Sequence, residues 1–389
     1  MPTLGQTAKK SSSSGSFKVL HAFKSSRDGK VPVGTLLADN NLLYGTTNFG
    51  GSPDKSCYPG IGCGTVFSFD GSTETVVYRF AGLTSGTRPY AGVIDVKGTL
   101  YGTTQTGGKK NEGTVYSLTP SGTEHLVVGF TGKNGNDPRA GLTNVNGTIY
   151  GTTYYGGAAG VGSVFSVSPS GTEKVIHSFQ AGDDGSWPLG TLLYADNVLY
   201  GTTSSGGTQR AGTVFKINPN GTGYSVLYTF KAGKTDGAFP FAGLTELNGV
   251  LYGTTQQGGA HNKGTAYALT TSGSETVLHS FGEKGDGIEP FDGLTVLNGV
   301  LYGTTAYGGT GGKQAGPDVQ RKPTSEGTIY SISPSGSEQV LHSFTGGPGG
   351  RVPYANLTVM NGALYGVTIW GGNLKGPKGG VGTIFEYTP

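Results

Sequence analysis

Seven recurring prolines, Pro32, Pro89, Pro138, Pro188, Pro240, Pro290 and Pro353, are flanked by the residues of this chain best suited to chemistry. Before them stand Val31, Arg88, Asp137, Trp187, Phe239, Glu289 and Val352; after them stand Val33, Tyr90, Arg139, Leu189, Phe241, Phe291 and Tyr354. An inert plug would have no need of this mixture. Aromatic rings interspersed with Arg and carboxylate supply stacking surface and a few directed hydrogen bonds, which a sugar or another polar ligand with flat apolar faces requires. Asp292, where other copies mostly carry Ala or Gly, adds a carboxylate beside Glu289. Phe49, Tyr154, Tyr155, Tyr307 and Trp370 come just before Gly-Gly pairs and belong to the same face.

Three readings follow. In the first, the face binds glycan through Arg88, Arg139, Tyr154, Trp187, Phe239, Phe241, Phe291, Asp292, Tyr307 and Trp370, and no residue does chemistry. In the second it cleaves polysaccharide. Asp137 and Glu289, three repeats apart in a ring of seven, face each other across the mouth, and carboxylates more than about 6.5 Å apart suit an inverting glycosidase. A lyase would use Arg88 or Arg139 to neutralise a uronate and Tyr90 or Tyr354 to move the proton. In the third the chain is a structural or adhesive module whose loops, including the basic insertion from Lys313 to Lys322, meet another protein. For each charged residue the bland alternative is a solvated rim charge.

The elements that must position these residues are read from Tyr-Gly-Thr-Thr, which starts at Tyr44, Tyr101, Tyr150, Tyr200, Tyr252 and Tyr302 and recurs as Tyr365-Gly-Val-Thr. Each copy is followed by Gly-Gly, then by a signature such as Gly212-Thr-Val-Phe, then by a closing Phe: Phe23, Phe80, Phe130, Phe179, Phe230, Phe281 or Phe344. A period near fifty residues, built of short β-type runs with no helical stretch, predicts a seven-bladed β-propeller of four-stranded blades. Asn-Gly at Asn146, Asn248, Asn298 and Asn361 marks a tight hairpin between the first two strands. Pro-x-Gly turns such as Pro334-Ser-Gly336 join the last two.

Both tight hairpins therefore fall on one face of the ring, and the longer connections share the other. Between Thr-Thr and the next Gly-Thr (Gly-Ser in the third copy) the loop has eight residues in four repeats, but sixteen in the first, twenty-one in the sixth and thirteen in the seventh. Loops on a rigid scaffold are where function concentrates. The chain ends in Gly382-Thr-Ile-Phe-Glu-Tyr-Thr-Pro389, a third strand, and residues from Ser14 onward supply a fourth, so the seventh blade is expected to close on the N-terminal strand. One domain over 14–389 is expected, preceded by a disordered Ser-rich extension over 1–13.

The combined pattern Leu-Tyr-Gly-Thr-Thr, Gly-Gly, Gly-Thr-Val-Phe and Ser-Phe resembles the GloVer-type (Gloeo/Verruco) tandem repeat family of bacterial secreted and surface proteins. The resemblance implies a propeller and an extracytoplasmic setting; it brings no agreed activity and no catalytic residues. Members are often followed by an envelope anchor. Only Trp187 and Trp370 occur, so the recurrent kelch Trp is missing.

Gly at 74 of 389 residues, with 19 Pro, would suggest low complexity, but these glycines recur at fixed offsets, which is turn chemistry. A formal charge of +3 on a chain only 13% charged leaves no basic stripe for a nucleic-acid backbone. No run of 18 apolar residues is available to span a membrane. Cys57 and Cys63 share one inserted loop and read as a short disulfide, implying an oxidising extracellular, cell-surface or periplasmic setting. His21, His177, His279 and His342 occupy one strand position beside the closing Phe and read as half-buried packing groups. Asp-Gly-x-x-Pro, as at Asp28, Asp184, Asp236 and Asp286, suits a turn, and one carboxylate per loop is too few for calcium. No metal or cofactor is therefore expected, and a monomer is favoured.

Overall fold

The Asn-Gly pairs turn as a two-residue hairpin demands: Asn298 and Gly299 have φ of 53° and 77°, joining strand Thr295–Leu297 to strand Val300–Thr305. Strands Thr328–Ile332 and Glu338–Ser343 complete that antiparallel sheet in chain order. The same arrangement recurs seven times, giving an all-β seven-bladed propeller. This computed structural model describes residues 15–389 apart from 25–26, 52–56, 58–60, 83, 311–325 and 373–379. The expected extension over 1–13 and the insertion from Lys313 to Lys322 lie outside the described residues.

Each blade is sandwiched between two others, so its middle strands are buried almost continuously instead of alternating: Thr328–Ile332 shows a single partly exposed residue, Ser331. Between sixth and fifth blades, for example, Phe281, Leu294, Leu301, Tyr330 and Ile332 form one apolar cluster. Burying such side chains stabilises by roughly 1.5–3 kcal/mol each.

The repeated motif has a steric explanation. A Cβ on Gly303 of Tyr-Gly-Thr-Thr would fall 2.5 Å from the Tyr330 hydroxyl, so the aromatic of the third strand lies where a side chain would be. Thr305 shares a 2.8 Å hydrogen bond with Thr328 and donates to the Tyr307 carbonyl at 2.8 Å, and the equivalent hydroxyl pair ties the second and third strands in all seven blades. The glycine that opens the third strand lies against the proline of the next blade: a Cβ on Gly327 would stand 2.7 Å from Pro353 Cδ.

Closure is between strand Ser16–Ala22 and strand Thr383–Thr388, with Phe17 opposite Tyr387 and Val19 opposite Phe385. Phe17 also packs edge-on against Phe344 of the sixth blade at 5.4 Å. Innermost strands lie side by side round the axis without a break, from Leu37–Asp39 to Thr358–Met360 and back. Every outer strand carries a register shift against the third strand, a bulge that turns its two ends to opposite faces.

Candidate functional site

The residue after each proline enters the channel. Val33, Tyr90, Arg139, Leu189, Phe241, Phe291 and Tyr354 line one cavity of about 450 Å³, together with Tyr154, Asp292 and Asn356. The large rings gather on one side: Phe241 stacks on Phe291 at 5.8 Å, Phe291 on Tyr354 at 5.0 Å, and Tyr354 meets Tyr90 edge-on at 6.3 Å. Between the last two stands only the small Val33 of the first blade, and the Tyr90 hydroxyl donates across that gap to the Tyr354 hydroxyl at 3.1 Å. Burial raises both phenols above their ordinary range.

Asp292 occupies the next position along the sixth blade's chain. Its Oδ2 is enclosed without a hydrogen-bond partner, although the residue keeps some exposure to the cavity. Burial pushes its carboxyl up to about 8, against a smaller lowering by the Thr304 hydroxyl, so it holds a proton at neutral pH. A neutral carboxyl, two linked phenols and the Arg139 guanidinium therefore converge on one apolar-walled cavity.

Arg139 connects this cavity to the rim. Its Nε and Nη2 donate to Asp137 Oδ2 at 2.9 and 2.6 Å, and the guanidinium lies 4.3 Å from the Tyr154 ring centroid. Burial disfavours the charge on Arg139, but Asp137 outweighs it. Tyr154 in turn stacks on Trp187 at 6.1 Å and meets Tyr155 edge-on at 4.5 Å. Trp187 and Tyr155 are exposed, 37% and 40%, which leaves a stepped aromatic platform leading from solvent to Arg139.

A model of the "Gloeobacter/Verrucomicrobia repeat" matches residues 5–181 and 113–316. The chain belongs to the Gloeobacter/Verrucomicrobia repeat family. None of the curated proteins compared with it matches. Among solved structures, a chain of the nidogen/laminin complex is 14% identical with a TM-score of 0.43, covering 72% of this chain and 91% of that one. A gluconolactonase from Xanthomonas campestris, XC5397, is also 14% identical with a TM-score of 0.44, covering 76% and 87%.

In this member of the Gloeobacter/Verrucomicrobia repeat family the residues before proline are placed differently from those after it. All seven, Val31, Arg88, Asp137, Trp187, Phe239, Glu289 and Val352, have φ between 55° and 61°. For bulky or β-branched residues that is strained, of order 1–3 kcal/mol each. One hydrogen bond to the preceding blade and one within the same blade hold them: Trp187 N–H donates to the Val161 carbonyl of the third blade at 2.8 Å, and its carbonyl accepts from Ser204 N–H of its own blade at 3.1 Å. The left-handed residue turns the chain so that proline meets the previous blade and the following side chain reaches the channel.

As a result, neither Asp137 nor Glu289 belongs to the cavity lining. Asp137 is engaged by Arg139, and Glu289 lies close enough to Tyr307 to raise that phenol, after burial. Arg88 sits over the Phe49 ring at 5.4 Å, Phe239 packs into the core between fourth and fifth blades, and Trp370 is an exposed ring at the end of strand Ala363–Trp370. Cys57 and Cys63 form a disulfide with Cα atoms 5.3 Å apart.

Sequence reasoning missed one set of contacts. The strand histidines do more than pack: His177 and His279 bond Asp184 and Asp286 at 3.2 and 3.0 Å. A glutamate from the next blade joins the group at two junctions, His21–Asp28–Glu74 and His279–Asp286–Glu338. A recurring Glu at the start of the outer strand was the available signal, but its face could not be assigned from spacing.

Proposed function

We propose that this propeller is a binding module for a carbohydrate, or a polar ligand of similar shape, at the elaborated mouth of its channel. The observation that carries the reading is the continuous wall Phe241–Phe291–Tyr354–Tyr90 facing a cavity that also receives Asp292 and Arg139. Apolar rings stack on the C–H faces of a sugar while the phenols, carboxyl and guanidinium bond its hydroxyls. A volume of about 450 Å³ suits a small glycan end, and the Tyr154–Trp187 platform extends the path for a longer chain. The disulfide fits an oxidising, extracytoplasmic compartment.

Asp292 supports a second reading, polysaccharide cleavage. A carboxyl still protonated near neutral pH is the state a general acid needs. Asp292, with the Tyr90–Tyr354 pair beside it, fits that role better than Asp137, whose carboxylate is committed to Arg139.

A glycan array with the intact protein, Tyr354→Ala and Trp187→Ala tests the first reading. Binding by the intact protein that both variants lose is expected; no binding, or equal binding by all three, would remove it. Incubation with the bound polysaccharide, followed by assays for reducing ends and for the absorbance of an unsaturated product, decides between binding and cleavage.

A further inference from the structure

The junctions between blades carry one set of positions seven times over, and what fills them differs. The set consists of the outer-strand residue after the bulge, a loop residue leading to the next blade, and the first residue of that blade's outer strand. At the fifth–sixth junction these are His279, Asp286 and Glu338. The bulge is what assembles them. Glu275 and Val277 pair with Leu269 and Tyr267, whereas His279 pairs with Ala266, so one extra residue, Leu278, puts His279 on the opposite face from Glu275. Each outer strand thus offers the residue after its bulge to the following blade and the residue at its start to the preceding one, and in strand Glu275–Ser280 these are His279 and Glu275.

We infer that the seventh–first and fifth–sixth junctions are divalent-metal sites, each holding the ion by one imidazole and two carboxylates. In both, the candidate ligand atoms lie within 4.8 Å of one another. At the first, His21 Nε2 is 3.8 Å from Asp28 Oδ2, and His21 Nε2, Asp28 Oδ1 and Glu74 Oε1 are all enclosed without a hydrogen-bond partner. That cluster opens on a cavity of about 450 Å³, which leaves room for water to complete the coordination. At the second, Glu338 Oε1 is enclosed and unpartnered beside the His279–Asp286 pair. Two carboxylates crowded round one imidazole are the environment that a dication relieves. Three N/O ligands with one open position match zinc, which takes His and carboxylate in four-coordinate sites.

The other junctions show that the fold does not need this triplet. Between fourth and fifth blades a tyrosine replaces the histidine, and Tyr228 donates to Asp236 at 2.9 Å and Glu275 at 3.4 Å. Between third and fourth, Tyr224 replaces the glutamate and stacks on His177 at 3.7 Å. Between sixth and seventh, Phe17 stacks on His342 at 3.8 Å. Ring stacking and tyrosine hydrogen bonds take the place of the triplet there, although Glu275 Oε1 is enclosed without a partner as Glu74 Oε1 and Glu338 Oε1 are, so these junctions serve as controls for the full set of three ligands.

The test is zinc titration of chelator-dialysed protein by calorimetry, with thermal unfolding followed in parallel. Two zinc ions per chain and a raised Tm are expected. His279→Tyr, which copies the fourth–fifth junction, should leave one, and His21→Tyr with His279→Tyr should leave none while the far-ultraviolet spectrum stays native. If a tyrosine variant fails to fold, Glu74→Gln and Glu338→Gln each provide the same check, lowering affinity by about tenfold or more. No zinc uptake at millimolar concentration, or a stoichiometry unchanged by these variants, would overturn the inference.

Discussion

Tyr90 and Tyr354, 264 positions apart in the chain, meet hydroxyl to hydroxyl at 3.1 Å across the first blade's Val33. The bond crosses the place where the ring closes and completes the aromatic wall. Tyr90→Phe keeps the ring and removes the donor, so glycan affinity should fall roughly fivefold to tenfold, as for loss of one hydrogen bond of about 1 kcal/mol. Tyr354→Ala also removes the stack on Phe291 and should cost more than Tyr90→Phe. Titration of both variants with the array hit checks the order; equal losses would mean that stacking contributes nothing.

Asp292 gives a pH dependence with a definite sign. Its carboxyl is raised in the folded protein to about 8 by burial, so its contribution to stability is present in full below about pH 4 and is lost as pH rises through 8. Glu74 and Glu275, raised to about 7 chiefly by burial, act in the same direction. Tm should therefore be lower at pH 9 than at pH 5. Asp292→Asn, which cannot ionise, should recover on the order of 1–3 kcal/mol of that loss; a variant with an unchanged pH profile would show that Asp292 ionises freely.

Trp187 and Trp370 are the only tryptophans. In Trp370→Phe all tryptophan emission comes from Trp187, which stacks on Tyr154 beside Arg139. Saturating glycan should shift or quench that emission if the rim platform takes part. A silent spectrum, with binding confirmed by calorimetry, would confine the ligand to the channel.

Gly201 tests the steric account of the motif. An added Cβ would lie 2.4 Å from Phe215 Cζ and 2.8 Å from Leu192 Cδ2, both fully or nearly buried. Gly201→Ala should destabilise by about 1–3 kcal/mol through overpacking, measured by denaturant unfolding. Gly299→Ala, with open space around its Cβ and φ of 77°, isolates the cost of backbone strain alone.

What the amino-acid sequence determined by itself is whatever repeats. Tyr-Gly-Thr-Thr, the Asn-Gly turns and the closing Phe each occur often enough that one structural cause must serve them all, and closure followed from matching the fourth strand at the N-terminus to the third strand at the C-terminus. Spacing also marked the residues flanking the prolines as the variable set. Tertiary structure alone decided which of each flanking pair enters the channel, because the left-handed turn at Val31, Arg88 and their equivalents is imposed by hydrogen bonds to another blade. It also decided that Asp137 serves Arg139 and not the cavity. The same holds for His279 and Glu275: four residues apart, they share a face in a regular strand, and the bulge at Leu278, set by pairing with the neighbouring strand, divides them between two junctions. A period of two is written in the sequence, but the residue at which it is broken depends on what lies alongside.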